Sequence, residues 1–341
     1  CVIINTYKSL LYSIGRVDVQ GGILQLDAYE GSGGGHTPVE QLGGAKYVNL
    51  RDGELRSYYR GLAPMPAIIT GTGTVSPGWR DPWTKYDARY ALQLQPSDEN
   101  EAGLSPGDTF DEAKGVGVLE VEGDLDFAVY VDAQDVEHYS KVEIDVFGHG
   151  AVAGVDHDQV IVHFNNTARL TGLGNADLVV ALPVPSSVLN PNNLGDMDIM
   201  VADTVGTGTF HSATVGATIG VVPADQHWQL KDGMDLVQYT DTAVVLKGGN
   251  LEWTAIPGDA NLDGVVGIAD LGALADNYGT ESGANWMQGD FNFDGRVGIA
   301  DLGALADHYG ESEAGSAAVP EPASLALLAL GGLALLRRKR R

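Results

Sequence analysis

The sequence predicts a mainly β chain followed by a small α-helical domain and a hydrophobic C-terminal helix. Three observations carry that expectation. Residues 1–256 are built of short apolar runs that alternate with polar residues and are cut by Gly, Asn and Asp, the pattern of strands with one buried face. Residues 258–310 contain one loop-and-helix pattern written twice. From Ala323 to Leu336 the chain is small and apolar, and Arg337-Arg-Lys-Arg-Arg341 ends it. The divisions that follow are 1–256, 257–310, a linker at 311–318 and a terminal segment at 319–341.

Strand runs in the first division include Gly22–Asp27, Val116–Phe127, Lys141–Phe147, Asp158–His163 and Asp177–Leu182. Helix-period stripes are nearly absent before residue 258, and the region is long enough to bury a substantial core. Runs bounded by glycine and followed by Gly-Asp or Gly-Asn turns occur at Leu119–Leu125 and Ala168–Leu178. With Val155–Val162 and Gly208–Phe210 they resemble the rungs and closing segment of autotransporter-type and pectin-lyase-like solenoids of exported proteins, a resemblance covering 106–256. It implies a parallel β-solenoid, the favoured reading. The rung period is irregular, so a β-sandwich is the alternative.

The most specific pattern runs from Gly258 to Asp270 and again from Gly289 to Asp301. Asp259, Asn261 and Asp263, then Asp290, Asn292 and Asp294, alternate so that their oxygens converge. Gly264 and Gly295 permit the sharp turn. The main-chain carbonyls of Val265 and Arg296 add a ligand, and Asp270 and Asp301 close each twelve-residue loop. These are hard oxygen donors without Cys or His, which suits Ca²⁺ over Mg²⁺ or Zn²⁺ and predicts two ions. The closing residue is Asp where an EF-hand has Glu, and Gly267 and Gly298 at the ninth position offer only a water.

A short helix follows each loop, with apolar positions Leu271, Leu274, Ala275, Tyr278 and Leu302, Leu305, Ala306, Tyr309, and with Gly279 or Gly310 as its stop. The copies lie 31 residues apart (290 − 259). Leu251–Pro257 reads as a strand, so no helix precedes the first loop. A loop with one following helix, repeated, resembles the type I dockerin domain over 258–310. The resemblance implies calcium binding and docking to a cohesin-like module. The positions that help choose a cohesin are here Ile268-Ala269 and Ile299-Ala300, and the later pairs Ala275-Asp276 and Ala306-Asp307 are not basic.

The apolar stretch 323–336 spans about 21 Å as a helix at ~1.5 Å per residue, short of the roughly 30 Å hydrocarbon core. Held by its basic end, it inserts transiently. Pro320-Glu321-Pro322, the apolar segment and the arginine cluster together resemble the PEP-CTERM sorting signal. That resemblance implies an exosortase-type processing enzyme as partner. It also implies export to the cell surface or extracellular matrix of a bacterium with an outer membrane. A retained tail anchor is the competing expectation.

Composition agrees with export. The chain has 20 Lys+Arg against 46 Asp+Glu, a net charge of −26. Five of the basic residues sit at the C-terminus, so the body is more acidic still and repels nucleic acid. The one cysteine, Cys1, rules out an intramolecular disulfide. An export tail without a leading signal peptide predicts that the sequence is amino-terminally truncated.

Catalytic patterns are scarce. His149, His157 and His163 lie close in sequence beside Asp156 and Asp158, and are expected on a solvated strand face rather than around a metal. Trp79, Trp83, Tyr86 and Tyr90 with their charged neighbours are expected in the core rather than under a sugar. The functional expectation is a non-catalytic exported protein of structural or adhesion type, with no catalytic residue and Ca²⁺ as its bound ion. The alternatives are a polysaccharide lyase or glycoside hydrolase fragment on a solenoid, and a cohesin-binding scaffold subunit. Exopolysaccharide is a further candidate partner. The ligand of 1–256 is not written in the sequence.

Overall fold

The computed structural model describes residues 2–4, 16–26, 45–57, 62–77, 91–98, 100–107, 115–149, 152–221 and 227–313. The expected aromatic patch at 79–90 and the expected C-terminal helix lie outside them. The chain divides into two compact units, Cys1–Thr254 and Ala255–Arg341.

The first unit is mainly β, and its strands pair in parallel with strands far away in sequence. One sheet stacks Leu62–Met65, Ala91–Leu94, Asp124–Phe127, Arg169–Thr171 and Thr204–Val205. A second series stacks Gly103–Pro106, Ser140–Asp145, Ala176–Ala181 and Ser212–Val215, and a third stacks Val118–Val121, Gln159–Val162 and Asp196–Ala202. Each strand therefore meets its counterpart one repeat later. The second and third series join through the long strand Ile68–Ser76, whose first half pairs with Gly103–Pro106 and whose second half pairs with Val118–Val121.

The branch needs glycine. Gly71 has φ +88, and a Cβ on Gly73 would strike the carbonyl of Gly53 in the neighbouring strand Tyr47–Ser57, where the register shifts between Arg51 and Gly53. A backbone approach that close excludes any side chain.

The pairing lines up like residues. Leu92 is opposite Leu125, which is opposite Leu170. Leu104 faces Val142 and Val142 faces Leu178. Leu119 faces Val160, and Val160 faces Met200. All of these are buried, so one apolar core runs along the stack. At ~25 cal/mol per Å² of apolar surface removed from water, this continuous burial is the main stabilising contribution. Alternation holds locally, as in Val118–Val121, where Leu119 and Val121 are buried and Val118 and Glu120 half-buried. Ala243–Lys247 pairs antiparallel with Asp196–Ala202 and with Val237–Tyr239, and so ends the parallel series, while Tyr130–Val131 with Glu137–His138 and Trp228–Leu230 with Leu251–Trp253 form separate antiparallel pairs.

The second unit has two helices, α1 (Ile268–Asn277) and α2 (Ile299–Asp307). Both begin where expected after their loops. Gly279 and Gly310, at φ +91 and +89, end them as left-handed caps. The apolar stripe is narrower than the sequence implies. Leu274 and Leu305 are buried, but Ala275 and Ala306 are exposed, as are Tyr278 and Tyr309 at 53% and 55%. A helix of two to three turns covers only a small neighbour, so a single leucine per helix, with Leu271 and Leu302 half-buried, forms the contact.

Segments outside the helices tie the copies together. Val297 N–H donates to the Thr280 carbonyl and Gly279 N–H to that of Val297, while Gly310 N–H donates to Val266 and Val266 N–H to Glu311. The chain leaving each helix thus pairs with the other loop.

Candidate metal centre and surface groove

Each loop is folded by its own side chains. Asp259 Oδ1 and Oδ2 accept from the Asp263 and Gly264 N–H groups at 3.2 and 2.8 Å. Asp270 Oδ1 accepts from Ala260 and Asn261 N–H, and its Oδ2 accepts from Gly267 N–H at 2.7 Å. Asp290 and Asp301 repeat the set: Asp294 and Gly295 donate to Asp290, Phe291 and Gly298 to Asp301. The closing aspartate of each loop is thereby also the first-turn acid of the helix, where a carboxylate is favoured by exposed N–H groups and the helix dipole.

Burial separates the ligand candidates into two kinds. Asp259, Asp270, Asp290 and Asp301 are no more than 1% exposed. Asn261, Asp263, Asn292 and Asp294 are exposed, and within each pair the asparagine amide donates to the aspartate. Val265 and Arg296 follow the positive-φ glycines Gly264 and Gly295 at exposed positions. Leu262 and Phe293 sit at φ +56 and +62, at the same place in each copy. Bulky residues avoid that region, so both loops hold backbone strain to keep the turn.

Electrostatics follow. Burial raises the Asp290 carboxyl to about 6, with the Asp301 and Asp294 charges adding to it and the Gly295 and Asp294 amides opposing it. Asp259 is raised by the same causes, burial first, then Asp270 and Asp263. Each loop therefore concentrates negative charge, which protonation or a cation would relieve. Among the described residues no three His, Cys, Asp or Glu side chains are drawn together as a metal centre; the loop carboxylates are turned toward backbone amides. The donor set itself is all oxygen, three aspartates, one asparagine and one carbonyl per loop, and this fits a hard, flexibly coordinated cation.

Sequence reasoning overlooked Trp286. It is 1% exposed in a 3₁₀ turn, Trp286–Gln288, between the copies. Its indole N–H donates to the Asp259 main-chain carbonyl at 2.6 Å. Its ring lies edge-on to Phe291 at 5.2 Å and stacks on Phe293 at 5.6 Å. The one available signal was a repeat mismatch: the position 31 residues earlier is Ala255.

In the first unit the three histidines do not meet. His157 is 1% exposed rather than on a solvated face, because it precedes its strand and turns its Nε2 to the Asp198 carbonyl at 3.3 Å. Burial lowers its pKa. His163 faces Glu120 at 3.8 Å, and His149 is exposed.

A groove of about 640 Å³ lies on the outward face of the second strand series. Glu137, His138, Tyr139, Lys141, Asp177 and Ser212 line it. The Tyr139 ring stacks on His211 at 3.6 Å, and Tyr139 O–H donates to Glu137, which raises the phenol pKa. His211 and Ser212 both bond Asp177 Oδ1, at 2.8 and 2.6 Å. The groove is acidic, with rings and hydroxyls, and Lys141 is its cation.

Among the described residues no helix is long and apolar enough to cross a membrane. Neither a curated protein nor a solved structure matches the chain. Residues 318–341 match the PEP-CTERM protein-sorting motif. The motif marks an exported protein that exosortase sorts, delivered to the cell surface with transient membrane anchoring in the processing step.

Proposed function

We propose that the chain is a non-catalytic cell-surface protein of structural or adhesion type: a parallel β-solenoid carrying a dockerin-like module that binds two Ca²⁺ ions. The observation that carries this reading is the sorting motif at 318–341, which gives the chain a surface destination. The solenoid is supported by three strand series, each in parallel register with its next repeat. Such stacks are stabilised by neighbour-to-neighbour contacts and present long outer faces. In the module, Asp259, Asn261, Asp263, Val265 and Asp270 would hold one ion, and Asp290, Asn292, Asp294, Arg296 and Asp301 the other. Bound calcium would supply the positive charge that these buried carboxylates lack. Ile268 and Ile299, 74% and 75% exposed, favour a cohesin-like protein module as the docking partner.

The groove favours a second reading, a carbohydrate-active enzyme acting on a polysaccharide, because rings and paired carboxylates are what sugar recognition and cleavage use. Reducing-end and unsaturated-product assays on pectin, alginate, xylan and sulfated glycans, run with Ca²⁺, separate the two. No turnover is expected. Turnover abolished by Glu137→Gln or Asp177→Asn would install the enzyme reading.

A further inference from the structure

We propose that Trp286 couples the two cation loops, so that filling one raises the affinity of the other. The proposal rests on the two-ion reading above and adds to it a residue that is not a ligand.

The geometry runs through one peptide unit in each loop. The Asp259–Ala260 peptide offers its carbonyl to the Trp286 indole at 2.6 Å and its N–H to Asp270 Oδ1 at 2.9 Å. Trp286 therefore fixes the plane that connects the first and last ligand residues of loop one. In loop two, the amide that holds Asp301 Oδ1, at 3.0 Å, belongs to Phe291. The Trp286 ring packs on that residue's own side chain, and on Phe293 between Asn292 and Asp294. One buried side chain thus bears on the closing aspartate of both loops.

Packing around it leaves little slack. A Cβ on Gly258 would come within 2.9 Å of Leu305 in α2, and one on Gly289 within 3.0 Å of Leu274 in α1. The lead residue of each loop lies against the helix of the other. A cation that pulls Asp290 and Asp301 together shifts Phe291, Trp286 and the Asp259 carbonyl as one body, because a close-packed interior transmits displacement. The contact is one-sided. With Ala255 at the equivalent place in the first copy, no second such bridge occurs among the described residues.

The test is calcium titration of the full chain by calorimetry, with Asp294→Ala disabling loop two and Trp286→Phe removing the N–H donor while keeping a ring. In the unsubstituted chain both ions bind with positive cooperativity. Asp294→Ala then lowers the affinity of loop one 5- to 150-fold, the usual range of coupling between sites. In the Trp286→Phe background both ions still bind, and Asp294→Ala changes loop one less than about threefold. Loop one unaffected by Asp294→Ala in the presence of Trp286, or coupling undiminished in Trp286→Phe, overturns the proposal. A chain that takes up no calcium removes the two-ion reading instead. Should the phenylalanine chain not fold, hydrogen exchange of the Trp286 indole N–H decides. It slows when calcium fills the one loop left in Asp263→Ala or in Asp294→Ala, and exchange insensitive to either ion overturns the coupling.

Discussion

Asp263 and Asp276 are both exposed aspartates of the second unit, and only Asp263 belongs to a loop. Asp263→Ala is expected to weaken calcium at the first loop by more than the ~10-fold that loss of an outer-shell partner costs, and Asp276→Ala to leave it unchanged. Calorimetry on the two variants measures the difference; equal effects would mean that the ligand set is wrong. In the first unit, His157 gives a pH signature. Burial lowers its folded pKa below the ordinary 6.5, and the nearby Asp156 and Asp198 charges and the Asp198 carbonyl only partly oppose this. Between the lowered value and 6.5 the unfolded chain binds more protons than the folded one, so stability is lost as pH falls below about 6.5. Chemical denaturation at pH 7 and pH 5 should show that loss, and His157→Gln should reduce it.

At the scale of elements, the stacked core makes two demands. Leu125, fully buried between Leu92 and Leu170, leaves a cavity when cut to alanine, and Leu125→Ala should cost about 2–5 kcal/mol in urea unfolding. Gly103→Ala should cost at least as much, because its Cβ would run into the Lys141 carbonyl of the adjacent strand; a neutral Gly103→Ala would mean that these strands are not paired. Strand positions were legible because alternation survives in Val118–Val121 and Gln159–Val162. Their assignment to sheets was not. Val116–Phe127 reads as one apolar run, yet it breaks at Glu122-Gly123 into strands of two different sheets. The repeat was hard to see because loops of unequal length, such as the hairpin of Tyr130–Val131 with Glu137–His138, separate the strands. The paired acidic loops were legible since their carboxylates and turn glycines are local in sequence. Trp286 was not, since it acts through a main-chain carbonyl 27 residues away.

For the whole molecule, address and composition agree: a chain of net charge −26 carries a sorting motif at 318–341. Mass spectrometry of the native surface protein is expected to find no peptide from Leu325 onward, and an intact Leu336–Arg341 end would mean a retained anchor. On the proposed reading the two units answer differently to calcium. On that reading the crowded carboxylates of the second unit would make its folding depend on the ion, whereas the first unit rests on its apolar core. Calcium titration of the full chain by calorimetry, followed by melting with and without excess chelator, tests this most directly. The account predicts close to two ions per chain and a chelator-sensitive transition confined to residues 255–313. Absence of calcium uptake, with melting unchanged by chelator, would contradict it.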